Sequence, residues 1–159
     1  MTGLRNVFNK IAWLNKSEMQ EALKDYKSSE VHCIEAIHEL DNPNVRSLTE
    51  QLFMTRGAIS KLTKRLQSKK LIESYQNEHN KKEIYFRLTP KGQQVYHTHQ
   101  QLHAKFDARD QDVFESLTQQ EFESIQHFIE KYNQHLDKEI KNKRLQPVSY
   151  THLTLPTNR

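Results

Sequence analysis

The sequence predicts a mainly α-helical domain carrying one small β-hairpin, and three observations point there. Apolar residues recur at steps of three and four along most of the chain, the spacing of helices with one buried face. Only three Gly and four Pro occur in 159 residues, too few for a fold built from tight turns. Residues 71–88 alone are rich in β-branched and aromatic side chains, and there Ile84, Phe86 and Leu88 alternate with Tyr85 and Arg87 as in a half-buried strand.

Leu4, Val7, Phe8, Ile11 and Leu14 open an amphipathic helix that continues through Met19, Ala22, Leu23 and Tyr26. A second helix begins after Ser28 or Ser29, either of which can cap it, and carries Val31, Ile34 and Ile37. Residues 41–44, with Pro43, break it. Ser47 and Glu50 then have the spacing of a capping box, in which each side chain satisfies the other's free backbone N–H. The short helix so opened is expected to turn Leu48, Leu52 and Phe53 inward. Thr55 caps a further helix to about Lys69. Polar residues 76–82 form the hairpin tip. Thr89-Pro90 starts a long helix through Val95, Leu102, Phe106, Val113 and Leu117, because a capping hydroxyl precedes a Pro whose missing N–H costs nothing at that position. Thr118 and Glu121 make a second capping box. It opens a last helix carrying Phe122, Ile125, Ile129, Tyr132, Leu136 and Ile140 near heptad spacing. From Pro147 the charged character disappears; residues 146–159 read as a non-native tail, like translated adapter sequence.

Two short helices joined by a tight turn and followed by a hairpin are the parts of a winged helix-turn-helix. On the helix over residues 55–69, Ala58, Ile59, Leu62 and Leu66 gather on one side at about 100° per residue. Arg56, Gly57, Ser60, Lys61 and Lys64 gather opposite, with no acid among them. Solvated helix faces ordinarily mix signs, so this face suits a polyanion. Gly57 near a helix start is easier to understand where another backbone must approach. The net charge of +4 agrees in sign but is by itself a weak signal.

The stretch from Ser47 to Leu62, then Leu71-Ile72-Glu73, then Leu88-Thr89-Pro90-Lys91-Gly92, resembles the MarR family of bacterial regulators, and the resemblance extends over about residues 4 to 143. It implies a winged helix-turn-helix in residues 1–145, with a DNA-binding lobe over about 28–90. Helices over about 4–26 and 90–143 would pair two copies into a homodimer. It further implies a sequence-specific DNA-binding regulator, commonly a repressor answering to a ligand, with Thr55, Arg56, Gly57, Ser60, Lys61 and Lys64 toward double-stranded DNA. Where the family's wing carries Asp-x-Arg, this chain has Asn80, Lys81 and Lys82. Lys lacks the planar fork of Arg, so this wing is expected to meet phosphates more than base edges. The alternative is a winged-helix protein-interaction module that uses the same parts without DNA.

Apolar residues make up 35% of the chain, and mean hydropathy is −0.93. The stripes on the first and last helices exceed what a small lobe can bury alone, which favours a second copy and hence an inverted-repeat operator. The scarcity of Gly leaves no phosphate-cradling loop, no nucleophile–base pattern appears, and the protein is not expected to be an enzyme. The single cysteine, Cys33, reads as a core thiol. The N-terminus has no signal-peptide core, and no run approaches the roughly 18 apolar residues of a membrane span, so the expected location is the cytoplasm. His99 and His103, four residues apart on one helix face, have the spacing of two ligands to one metal. In the zinc-sensing branch of the resembling family, histidines at positions like His32, His99 and His103 help to bind regulatory zinc. That branch has a carboxylate where this chain has Val31, and Glu30 is expected to point elsewhere. Two alternatives stand beside the metal: histidines bonded to one another or across a dimer seam, and histidines lining a pocket for an organic ligand.

Overall fold

The computed structural model of the chain describes residues 2–78 and 80–145, so the tail from residue 146 lies outside the described residues. The elements are α1 (Thr2–Ala22), α2 (Ser28–Glu39), α3 (Val45–Gln51), α4 (Arg56–Ser68), β1 (Ile72–Asn77), β2 (Asn80–Leu88), α5 (Pro90–Glu115) and α6 (Gln119–Leu145). Their order is the one the sequence predicts. The chain divides into two compact units between Asp110 and Gln111, inside α5.

In the first unit, Ile34 of α2, Leu48 of α3, Ile59 and Leu66 of α4, and Leu71 ahead of β1 are wholly buried. Val95 of α5 joins the same core. Cys33 is buried too, and desolvation pushes its thiol up to about 12, so it stays a neutral core residue. α1 buries none of its residues. It ends at Ala22 rather than Tyr26, and a turn closed by Tyr26 N–H donating to Leu23 O (2.9 Å) leads into α2.

The helix starts differ from the expected ones. α2 begins at Ser28 behind Lys27, whose backbone N–H donates to the Glu30 carboxylate at 2.8 Å; neither serine caps it. α3 starts two residues before Ser47. Asn44 is its cap: Asn44 Oδ1 accepts from Ser47 N–H (2.9 Å), and Ser47 Oγ accepts from Asn44 N–H (3.0 Å). Asn ranks with the best caps, so an Asn three residues ahead of a Ser wins over the Ser itself. Thr55 does cap α4, and Thr118 with Glu121 forms the expected box at α6.

The hairpin is tighter than expected. β1 and β2 pair antiparallel from Ile72↔Leu88 to Asn77↔Asn80, with a register shift between Tyr75 and Asn77. Lys81 and Lys82 therefore sit in β2 rather than in a loop. A further bridge, Asn44↔Tyr85, with Phe86 N–H donating to Pro43 O (2.9 Å), ties the wing to the start of α3. That edge buries Tyr85 beside Phe86 and leaves Ile84 exposed, against the simple alternation.

α4 ends in a Schellman turn: Leu71 N–H reaches Leu66 O (3.0 Å) and Lys70 N–H reaches Gln67 O (2.9 Å), with Lys70 left-handed at φ 59°. Thr89, capping α5, donates to Lys70 O (2.7 Å) and accepts from Gly92 N–H (3.1 Å). Gly92 itself lies against the turn, where a Cβ would stand 2.0 Å from Leu71 O. Gly92→Ala is therefore expected to lower unfolding stability by about 3 kcal/mol, the upper end for overpacking, in urea titration; a change under about 0.5 kcal/mol, the range of harmless surface substitutions, would contradict that packing.

Candidate nucleic-acid interface

α3 and α4 are joined through Phe53, a residue expected inward. It is instead 65% exposed with φ 52°, the left-handed corner that turns the chain between the two helices. α4 buries Ile59, Leu62, Thr63 and Leu66, and its outer face holds Arg56, Gly57, Lys61 and Lys64, with Ser60 half-buried beside them. Thr55 Oγ1 accepts from Ala58 N–H at 3.3 Å and fixes the N-terminal end. Among the described residues, nothing stands within 4 Å of where a Gly57 Cβ would be.

The cations of this helix end fall into two groups. Arg65 Nε and Lys69 Nζ hold the Glu30 carboxylate at 2.8 and 2.9 Å. Glu30 has no exposed surface. Burial alone would raise its pKa; the Lys27 backbone N–H, Lys69 and Arg65 outweigh that and keep it lowered. Among the described residues, Arg56, Lys61 and Lys64 meet no acid at ion-pair distance. They remain available to an outside polyanion.

The wing stands beside α4. Gln67 Nε2 donates to Ser74 Oγ (3.2 Å), and Asn44 Nδ2 donates to Glu83 Oε2 (3.0 Å), so α4, the α3 cap and both strands are braced together. A cleft between helix and hairpin is lined by Ser60, Lys64, Ser74 and Ile84, among others. Asn80 opens β2, and Lys81 and Lys82 follow it with exposed side chains.

Of the three candidate histidines, His99 and His103 come together with Glu35, one ligand atom of each lying within 4.8 Å of the others, and His32 is not in that group. His99 Nε2 and His103 Nε2 are 3.0 Å apart, and the His32 and His99 ring centroids are 6.0 Å apart. All three line a cavity of about 550 Å³ with residues of α1, the α1–α2 turn and α2, including Met19, Tyr26 and Val31. His99 is only 3% exposed, and its Nδ1 has no hydrogen-bond partner. Burial first, then the neighbouring His103 and His32, pushes its pKa down to about 4, so it is neutral at neutral pH.

A MarR family model matches residues 27–84, the segment from the cap of α2 into β2. The chain is 28% identical over 138 residues to the HTH-type transcriptional regulator PchR of Bacillus subtilis (strain 168), covering 87% of this chain and 79% of that one. The chain thus carries a MarR-type winged helix over residues 27–84. It is a winged-helix DNA-binding regulator of transcription, not an enzyme. The MarR fold is matched in solved structures: Streptococcus pneumoniae FabT in complex with DNA at TM-score 0.73 and 20% identity, covering 86% of this chain and 94% of that one. Staphylococcus aureus MarR in complex with salicylate and kanamycin matches at TM-score 0.67 and 14% identity, covering 87% and 90%. Among the described residues, no helix is long and apolar enough to cross a membrane.

Two carboxylates of this chain were not placed from sequence. Glu30 does point away from the histidines, but toward α4; its signal was an acid at the third position of a helix, where it caps. Glu35 reaches within 3.5 Å of His99 Nδ1. It lies three residues after His32, on the same face of α2, and that spacing was the available signal. Removing a buried partner typically costs about 3–5 kcal/mol, but Arg65 and Lys69 side chains are 41% and 34% exposed and would regain water. Glu30→Ala is thus expected to lose about 2–3 kcal/mol in chemical denaturation. A loss within about 0.5 kcal/mol would show that the network contributes little.

Proposed function

We propose that the protein is a homodimeric, effector-responsive repressor that reads an inverted-repeat operator through α4. The observation that carries this is the separation of cations: Arg65 and Lys69 are committed to Glu30, while Arg56, Lys61 and Lys64 share an outer face without acids. Arg56, at the first turn of α4, is suited to bidentate contact with guanine O6 and N7 in the major groove. Thr55 and Ser60 offer hydroxyls, Lys61 and Lys64 meet phosphates, and a sugar–phosphate backbone supplies the close approach that open space at Gly57 allows. Asn80, Lys81 and Lys82 bring the wing to the neighbouring phosphates.

The dimer rests on apolar surface. Val7, Phe8, Trp13 and Leu14 of α1 are exposed, and so, in the second unit, are Ile125, Phe128, Ile129 and Leu136 of α6. The described residues of that unit include no buried one. A second copy covers both stripes, and twofold symmetry sets half-sites about one helical turn apart.

The effector site is the cavity beside α2. His32, His99 and His103 offer imidazole nitrogens to a divalent metal, for which zinc is the natural choice among nitrogen ligands. The fit rests on Glu35, His99 and His103, one ligand atom of each within 4.8 Å of the others, and on a buried His99 ring with an unpartnered Nδ1. A cavity of about 550 Å³ also suits an organic ligand, which is the second reading.

Arg56→Ala is expected to weaken cognate operator binding by about 1–3 kcal/mol and to relax one base position. Lys64→Ala should weaken all sequences alike and flatten the salt dependence. Titrations run with zinc and with chelator test the effector in the same assay; equal loss on cognate and random DNA removes Arg56 as a base reader, and equal affinity with zinc and chelator leaves the organic ligand. For the dimer, Ile129→Asp with Leu136→Asp should give monomers in sedimentation and abolish DNA binding together, whereas a wild-type monomer at micromolar concentration would rule the dimer out.

A further inference from the structure

Phe53 holds the turn between α3 and α4 in a conformation that suits neither its backbone nor its ring. Its φ of 52° is left-handed, at the position just past the C-terminal end of α3 where glycine ordinarily sits. A Cβ makes that conformation unfavourable, and apart from Gly only Asn and Asp visit it routinely. The ring is 65% exposed, whereas Leu52 and Met54 on either side of it pack against the core. Among the described residues from 15 to 83, it is the one large apolar side chain left exposed. The other left-handed corners differ: Asn42 is a tolerant residue whose Oδ1 accepts from the Tyr75 hydroxyl at 3.2 Å, and Lys70 is a solvated cation.

A strained backbone carrying an exposed aromatic ring is what a contact outside the chain would preserve. The surroundings of the ring say which contact. Phe53 stands two residues ahead of Thr55, the cap of α4, and three ahead of Arg56. No acid occurs from residue 51 to residue 72, and Glu50, just before them, is paired with Arg46 at 3.4 Å. A polyanion can therefore come close to this turn without repulsion. When the N-terminal end of α4 enters a major groove, the turn that leads into it stands at the edge of the groove. The apolar surfaces of a duplex there are the faces of deoxyribose rings and the methyl groups of thymines.

We propose that Phe53 is a DNA contact whose ring packs on that apolar surface, a deoxyribose face or a thymine methyl, next to the base that Arg56 reads. This rests on the reading of α4 as the helix that enters the groove. An apolar contact differs in kind from the cationic ones. It displaces water but no counterions, so its loss lowers affinity while the slope of the salt dependence stays the same. Phe53→Gly also removes the left-handed penalty, so the variant that binds worse folds no less well.

The test uses the full chain and duplexes that wild type selects from a random pool, with Arg56→Ala in parallel. Phe53→Gly and Phe53→Asn, both at ease in left-handed backbone, are expected to bind about tenfold more weakly for each helix engaged. The salt slope and the oligomeric state in sedimentation should match wild type, and the melting temperature should be no lower. Phe53→Tyr, which keeps the ring, should retain most of the affinity. Replacing thymines one at a time by deoxyuridine then separates the two surfaces. A methyl whose removal weakens wild type but not Phe53→Gly is the partner of the ring; if no thymine behaves so, the partner is deoxyribose. Wild-type affinity in Phe53→Gly, with Arg56→Ala impaired, overturns the contact and leaves α4 as the reading helix. A changed oligomeric state in Phe53→Gly places the ring between copies of the chain and also overturns it. If Arg56→Ala and Phe53→Gly both bind as wild type does, the reading of α4 fails and takes this assignment with it.

Discussion

A carboxylate with no exposed surface must be matched by donors, and Glu30 is matched by three: the Lys27 backbone N–H, Arg65 Nε and Lys69 Nζ. Each of these does a second job. The Lys27 bond satisfies a free donor at the start of α2, where negative charge also meets the positive end of the helix dipole. Arg65 and Lys69 sit at the other end of α4, where positive charge is favoured for the complementary reason. Lys69 further donates to Asp25 O at 3.1 Å and lies 5.3 Å from the Tyr26 ring centroid. One side chain thus sets the angle between α2 and α4 and anchors the α1–α2 turn to both. Tyr26 and Lys27, on that turn, are also walls of the cavity beside α2.

The same pairing decides what α4 shows to solvent. A helix with five cations at or near its surface would repel itself and bind any polyanion without register. Neutralising Arg65 and Lys69 at the C-terminal end confines free positive charge to Arg56, Lys61 and Lys64. Charge is then concentrated on the outer face of the end that Thr55 caps, with Ser60 half-buried beside it. The Gln67–Ser74 and Asn44–Glu83 bonds do the corresponding work for the wing, since its lysines can be placed against DNA only if the hairpin holds its angle to α4.

How much of this was legible in the sequence depended on whether the deciding interaction was local. Element order, the inner face of α4, the Thr55 cap and the Thr118–Glu121 box follow from spacing within a few residues, and they stand as read. The Ser47 box misled because two overlapping caps were available and only the α3–wing contact through Asn44 distinguishes them. Phe53 misled because its spacing is apolar, whereas its place is set by backbone direction. Scarce Gly correctly indicated helices but concealed the corners, since the left-handed positions are Asn42, Phe53 and Lys70, not glycines. Gly92 is required by a contact 21 residues away along the chain, with Leu71 O, that no local pattern reveals. At the site, histidine spacing on α5 was readable, and His32 was placed by family likeness. Glu35 and Glu30 depend on which helices face each other, and their roles emerge only in three dimensions.

Among the described residues, His99 carries a buried side-chain nitrogen without a hydrogen bond. A buried polar atom without a partner costs about 1–3 kcal/mol, and any apolar side chain of similar size at this position of α5 would avoid that cost. Its neighbours do not look like an accident of packing, because Glu35, His103 and His32 approach it from α2 and α5. Polar groups gathered around an incompletely satisfied ring make a poor core and a serviceable site. The Glu30 network shows what this same fold does when a buried charge serves structure alone: every acceptor is filled at 2.8 to 2.9 Å. The contrast between two polar clusters a few residues apart on α2, one complete and one left open toward a cavity, is the physical reason to look for the effector at the second.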